Sequence, residues 1–388
     1  MRFKVAKRDL EVALQIVGAS LASSGSDISS HFTFRRTGPD KDDKYGVEVL
    51  TSSGRTFASC PMIVAVEDKG EDKKAAFTVE GWRLKQWLQF IPDDSVPEFI
   101  RDDREVVVRV KKGKQTFQSL DPNSFPYWDK HLKEAAVKAT LPADRLKDAL
   151  AYSRQFVAGP DRETHTPDLC VCEVQDGIMH ASDKRAMSMI RVKGLEDSAL
   201  RVHGKDVGGV LTFLGLLGDG DVEILEHDRM AVFRRGSDGA LFGETRFSFK
   251  FPTPKIKMDD VDQHVWELPK DECQQIIGFL VAGASKEDNR LRLAPGETPG
   301  EVALSMMNAT GKPTDLTLAG VTMSSAPNVP AIPGEGFLVD HGIFGRVLTP
   351  WKGDALRLGI TVKGGQGFVR VLAEQYESKY LTIIPWLK

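Results

Sequence analysis

The feature that most limits the fold is a pattern that recurs six times along the chain: a short strand, a helix of three to four turns, then two or three more strands. The first repeat opens with RFKVA (2–6), runs into KRDLEVALQIVG (7–18) and continues with HFTFRRT, YGVEVLTSS and RTFASCPMIVAV. Apolar and polar residues alternate in the strands, and Leu10, Ala13, Leu14 and Val17 fall at the i, i+3, i+4, i+7 spacing of one helix face. The second opens with AAFTVE at 75, and its helix GWRLKQWLQFI carries Leu84, Trp87, Leu88 and Ile91 on one side. The others open near KATLPA (138), LRVHG (200), VWELP (265) and GEGFLVD (334), with helices DRLKDALAYSRQFV, KDVGGVLTFLGLL, KDECQQIIGFLVAGA and HGIFGRVLTPW. Starts lie roughly 60 to 75 residues apart, so six repeats fill the chain.

The repeats group in pairs. NSFPYWDK (123–130) and SFKFPTPKIK (248–257) each follow an even-numbered repeat, and Phe125-Pro126 precedes Phe251-Pro252 by 126 residues. This reads as one linker used twice and predicts three similar α+β domains over 1–130, 131–260 and 261–388, helices packed on antiparallel sheet. A chain of 388 residues needs several cores in any case. Four cysteines form no CxxC pair and no His/Cys cluster at zinc spacing, so neither a metal nor a disulfide scaffold is expected and a reduced, cytoplasmic setting fits. MRFKVAKRDL lacks the apolar stretch of an export signal, and IIGFLVAGA (276–284) is too short to span a bilayer, so no membrane association is expected.

Three tandem domains of doubled strand-helix-strands repeats resemble the bacterial DNA polymerase III beta subunit, the sliding clamp. TVEGWRLKQWLQFIPDDSVPEFIRDDREVVVRVKKGKQTFQSLDPNSFPYWD is similar to the second half of the family's first domain, with its closing Phe-Pro. LPADRLKDALAYSRQFVAGPDRETHTPDLCVCEVQDGIMHASDKRAMSMIRV is similar to the start of the second, and YLTIIPWLK (380–388) to the family's apolar, proline-containing C-terminus. The resemblance covers the chain end to end and is that of a divergent member, viral or otherwise distant. It implies a head-to-tail homodimer closing a ring around double-stranded DNA, loaded by an ATP-dependent clamp loader, with no catalysis and no cofactor of its own.

A net charge of -3 is unusual for a DNA binder. A ring, however, holds DNA by topology and needs only weak phosphate contacts. The six helices carry 10 Lys or Arg against 7 Asp or Glu, a net +3. The resemblance assigns a DNA-facing role to Lys7, Arg8, Arg83, Lys85, Lys147, Arg154, Arg162, Lys205 and Arg346, with His165 near Arg162. The loop LASSGSDISS (21–30), where the family often has an arginine, holds no basic residue, and Gly208, Gly209 and Gly215 weaken the fourth helix unless close packing requires them.

Seven of the last nine residues are apolar or proline, whereas free termini are usually polar. In the clamp family this tail lines an apolar pocket for short peptides of polymerases, loaders and repair proteins. The matching positions are Pro167, Ser182, Met187, Pro252, Thr382, Ile384, Pro385 and Trp386. Strand alternation would put Leu381 and Ile383 in the core and Thr382 and Ile384 toward the pocket. Lys184-Arg185-Ala186-Met187 replaces the family's Gly-His-Arg-Leu. By position, Phe117, Leu280 and Val281 would meet across the dimer. No catalytic constellation assembles: GDGDVE (218–223) lacks the calcium-loop pattern, KGGQG (363–367) is not followed by a helix, and His180 and His203 read as structural. The expected role is a replication processivity factor. The alternatives are a clamp platform for transcription or repair, a repeat-built assembly protein, and an enzyme of unrecognised type.

Overall fold

The computed structural model spans residues 1–388, and the description covers all except 23–26, 40–44, 65, 67–74, 103, 255, 330, 349–352, 364–365, 376–377, 386 and 388; at 39, 45, 363, 366, 373–375, 378 and 379 it concerns backbone alone. All six repeats follow in order. Their helices are Lys7–Val17, Gly81–Gln89, Ala143–Arg154, Val207–Leu217, Lys270–Gly283 and His341–Leu348, each entered from a strand and followed by three more, with a fourth, Thr322–Ser325, in the fifth repeat. Leu10, Ala13, Leu14 and Val17 are buried as their spacing requires, as are Leu84 and Leu88, and Leu146, Ala149 and Leu150. In the sixth repeat the last residue of the entering strand caps the helix, Asp340 accepting the Ile343 N–H at 3.0 Å. Gly209 in the fourth helix is required by packing, because a Cβ there would lie 2.8 Å from the Phe242 ring, whereas Gly215 faces open space. A seventh, short helix, Asp129–Glu134, follows the first Phe-Pro linker and has no periodic signal in the sequence.

The repeats are joined by strands. The last strand of the first repeat, Thr56–Met62, pairs antiparallel with the last strand of the fourth, Leu241–Thr245, through Thr56↔Glu244 to Ser59↔Leu241. The last strand of the third, Met187–Arg191, pairs in the same way with the last of the sixth, Ser378–Pro385, through Met187↔Ile383 to Arg191↔Lys379. Each of these four is the third strand after its repeat's helix; the third strands of the second and fifth repeats, Gly113–Gln118 and Pro313–Leu318, each end a four-stranded sheet, with no further strand beyond them among the described residues. By its contacts the chain separates into two compact bodies, 1–147 with 200–247 and 148–199 with 248–388. Each body gathers repeats that are distant in sequence because these ladders bind the first repeat to the fourth and the third to the sixth.

Within the first body, Phe3, Phe34, Phe77 and Phe99 stack with centroids 5.0 to 6.2 Å apart, and all four are fully buried. Phe117 joins this interior at 3% exposure, and in the second body Leu280 is 2% exposed. Both are core residues and cannot offer a free interface face, which corrects the expectation for them. Phe117 is the one inward side chain of an otherwise exposed strand, and Leu280 continues the buried stripe of Cys273 and Ile277. The outward neighbours on the helix are Phe279, 66% exposed, and Val281, 38% exposed. The four cysteines are buried, and burial pushes the thiols of Cys60 and Cys273 up to about 12.

Candidate functional site

Two grooves of related construction flank the two Phe-Pro linkers. In the second body, the groove is lined by the turn at Asp168 and Leu169, by Ser182, Lys184 and Met187 of a strand hairpin, and by Phe251, Pro252, Thr253, Pro254 and Ile256 of the linker, and it encloses about 370 Å³. Its floor is fixed by hydrogen bonds to the backbone of Phe251. The Phe251 N–H donates to the buried Glu173 carboxylate at 2.6 Å, and the Phe251 carbonyl accepts from Gln175 Nε2 at 3.0 Å. His180 stacks on the Phe251 ring at 5.7 Å, and its burial lowers the imidazole to about 4, so it stays neutral. Each side of the linker is thereby held by a strand of the third repeat.

The hairpin wall is equally constrained. Asp183 accepts the N–H groups of Arg185 and Ala186 at 2.9 Å each, and Ser182 Oγ donates to the Ala186 carbonyl at 2.8 Å. Lys184 has φ 72°, the left-handed conformation that favours glycine. The stretch Lys184-Arg185-Ala186-Met187 opens on this turn, so its backbone cost is borne by a lysine. Asp183 also pairs with Arg346 at 3.2 Å, whose guanidinium donates to the Gln155 carbonyl at 2.7 Å and lies over the Phe156 ring.

Of the expected pocket residues, Ser182, Met187 and Pro252 line this groove; Pro167 lies one residue before its edge at Asp168. Thr382 and Ile384 do not line it. Both are fully buried on the opposite side of their strand, where Thr382 Oγ1 and Tyr152 Oη are 2.6 Å apart. The face toward Met187 and Ile256 carries Leu381 and Ile383 instead, packed with Met189 and Met258. The alternation is as expected but its sense is inverted, because a helix residue, Tyr152, covers the side assigned to the pocket. Pro385 is exposed, and Trp386 lies outside the described residues. Leu169, Phe251, Pro254 and Ile256 were missed, although the repeated Phe-Pro was a signal for the linker.

In the first body the equivalent groove is filled. Trp128 stacks on Phe57 at 4.6 Å, Leu132 packs beside it, and Arg35 pairs with Asp129 at 2.5 Å, leaving about 20 Å³ beside Phe125 and Tyr127. Phe57 itself lies on Gly243, where any Cβ would collide with the ring. The Arg35 guanidinium holds the Asp129 carboxyl below its usual range.

The expected cations divide. Lys7 is 5% exposed, donates to the Ile91 carbonyl at 3.0 Å and pairs with Asp93 at 2.7 Å, and Arg346 is tied to Asp183, so neither is available to face DNA. Intramolecular carboxylates and carbonyls claim them, which sequence spacing does not reveal. Arg8, Arg83, Lys85, Lys147, Arg154, Arg162 and Lys205 are exposed, as is His165. Arg83 pairs with Glu80 at 3.0 Å, and Lys85 lies over the Phe32 ring at 5.5 Å. The loop 21–30 lies partly outside the described residues.

No protein-family model and no curated protein matches the chain in sequence. Solved structures match it over its whole length. The DNA polymerase III subunit beta of Pseudomonas aeruginosa superposes with a TM-score of 0.80 at 15% identity, covering 100% of both chains. A DnaN sliding clamp (DNA polymerase III subunit beta) from Bartonella birtlesii bound to griselimycin gives 0.78 at 15% identity, again covering 100% of both. The DNA polymerase sliding clamp from Bacillus subtilis gives 0.78 at 15%, covering 100% of this chain and 99% of that one. At such identities the agreement is one of architecture, and the chain has the fold of the bacterial DNA polymerase III beta subunits, the sliding clamps.

Proposed function

We propose that this protein is a sliding clamp of DNA replication: a head-to-tail homodimer of six domains, three per chain at 1–130, 131–260 and 261–388, that encircles double-stranded DNA and tethers a polymerase. The observation that carries the proposal is the pair of open sheet edges. Twice within the chain, the third strand after the helix of an odd-numbered repeat pairs with the third strand after the helix of an even-numbered one, first with fourth and third with sixth. The fifth and the second remain, and their edges Pro313–Leu318 and Gly113–Gln118 are left without a partner strand among the described residues. A second copy supplies the missing partner by the same rule, and two such joints close a ring.

The helices of these two repeats support the pairing. Trp82 at 54% and Phe90 at 79% exposure belong to the second, Phe279 and Val281 to the fifth, so both sides of the proposed joint carry exposed apolar side chains for a second copy to cover. Lys114 on one edge and Asp315 on the other are of opposite charge. Val281 keeps its proposed interface role, and Phe279 replaces Leu280.

The groove at Phe251 is the proposed peptide site for polymerases, the ATP-dependent loader and other clamp-binding partners. Apolar walls from Leu169, Met187, Phe251, Pro254 and Ile256 accept one or two large side chains, each worth about 1.5–3 kcal/mol on burial. Griselimycin, carried by the Bartonella clamp, is a defined probe, and Met187→Arg should abolish its binding while leaving mass unchanged. The seven exposed cations are the proposed weak contacts to phosphate. The role requires no chemistry from the protein and places it in the cytoplasm; among the described residues no helix is long and apolar enough to cross a membrane.

The test is mass by light scattering with small-angle scattering on the same peak, followed by retention on DNA after loading. Twice 42.8 kDa, a central hole, and loss from a circular plasmid on linearisation are expected. A monomer at every concentration that also fails to be retained on circular DNA overturns the proposal.

A further inference from the structure

We propose that His131, Glu134 and His227 form a site for a divalent transition metal of the zinc class, which ties the linker helix Asp129–Glu134 to the end of strand Asp221–His227. One ligand atom from each residue lies within 4.8 Å of the other two. His131 and Glu134 are three apart on one helix and so share a face. His227 closes a strand whose neighbour in the ladder, Glu226, pairs with Ala136 just beyond the helix. Two imidazoles and one carboxylate are a donor set suited to zinc, nickel or cobalt.

Three features favour a ligand over a chance cluster. His131 Nδ1 is buried without a hydrogen-bond partner, a cost that coordination through this nitrogen would relieve. The imidazole rings of His131 and His227 are 5.1 Å apart and tilted by 45°, while His227 Nε2 and Glu134 Oε2 already approach to 3.2 Å. The helix is held independently of any metal, by Asp129 on Arg35 and by Trp128 on Phe57, so two ligands are presented on an anchored element.

Bonds of about 2.0–2.2 Å in a tetrahedron bring ligand atoms to roughly 3.4 Å from one another, so side chains must close by about 1 Å. Glu134, half exposed, can make that movement and leaves room for water as the fourth ligand. Coordination through His227 Nε2 places the ring proton on Nδ1 and releases the 3.3 Å hydrogen bond from the Arg229 N–H, which is long and weak.

Cobalt(II) titration followed by its tetrahedral absorption, with zinc as competitor, tests the site on the full chain. One metal per chain is expected. His131→Ala, His227→Ala and Glu134→Gln should each weaken zinc by about tenfold or more, and zinc should raise the melting temperature of the parent alone. If His131→Ala melts early without metal, Glu134→Gln, at a half-exposed position, decides. Absence of cobalt binding at roughly 100 µM, or binding unchanged in Glu134→Gln and His227→Ala, overturns the proposal.

Discussion

Replacing Phe279 by Asp should open the proposed ring without unfolding the chain. Phe279 is 66% exposed, and a phenylalanine side chain offers about 200 Å², so roughly 130 Å² is available for burial by a second copy. At about 25 cal/mol per Å² this amounts to about 3 kcal/mol for each joint. A head-to-tail dimer has two joints, and their sum of about 6 kcal/mol corresponds to a dissociation constant roughly 10⁴-fold weaker, before the added cost of desolvating a carboxylate. Sedimentation across a wide concentration range measures it directly. The control is Leu280→Asp, one residue along and 2% exposed, which should lower the melting temperature instead because it buries an unpaired charge. A Phe279→Asp dimer within threefold of the parent, or a fall in its melting temperature like that of Leu280→Asp, would refute the assignment of this helix face.

Three further outcomes follow from the groove and the core. His180 titrates near 4 in the folded chain and near 6.5 when unfolded, so the unfolded chain binds more protons between these values; stability should fall by up to about 3 kcal/mol from pH 6.5 to 4, and His180→Phe should remove that part of the slope in urea titrations. Lys184→Gly should stabilise by about 1 kcal/mol, since φ 72° costs lysine what it does not cost glycine, and an unchanged urea midpoint would show the turn to be relaxed. Tyr152→Phe leaves the buried Thr382 hydroxyl without its 2.6 Å partner and should destabilise by about 1–2 kcal/mol, with griselimycin affinity retained because the pair lies away from the groove.

The architecture was legible in the sequence because it is repeated. Period-2 and period-3.6 patterns recurring six times leave few alternatives, and buried stripes such as Leu146, Ala149 and Leu150 follow from spacing alone. The twin Phe-Pro motifs likewise marked the two linkers, though a groove was expected only beside the second. Periodicity says that two faces of a strand differ, yet it does not say which face meets a helix and which meets a groove. Tyr152 decided that for Thr382, and the sense came out opposite to expectation. Nor does it distinguish a cation that faces solvent from one claimed within the fold: Lys7 and Arg8 are adjacent, and the positions of Asp93 and the Ile91 carbonyl separate them. The short helix after Trp128, the filling of the first groove and the meeting of His131 with His227 depend on ladders between residues far apart in the chain. Local sequence determines which way each segment can bury itself; which partner it finds there is a property of the assembled fold.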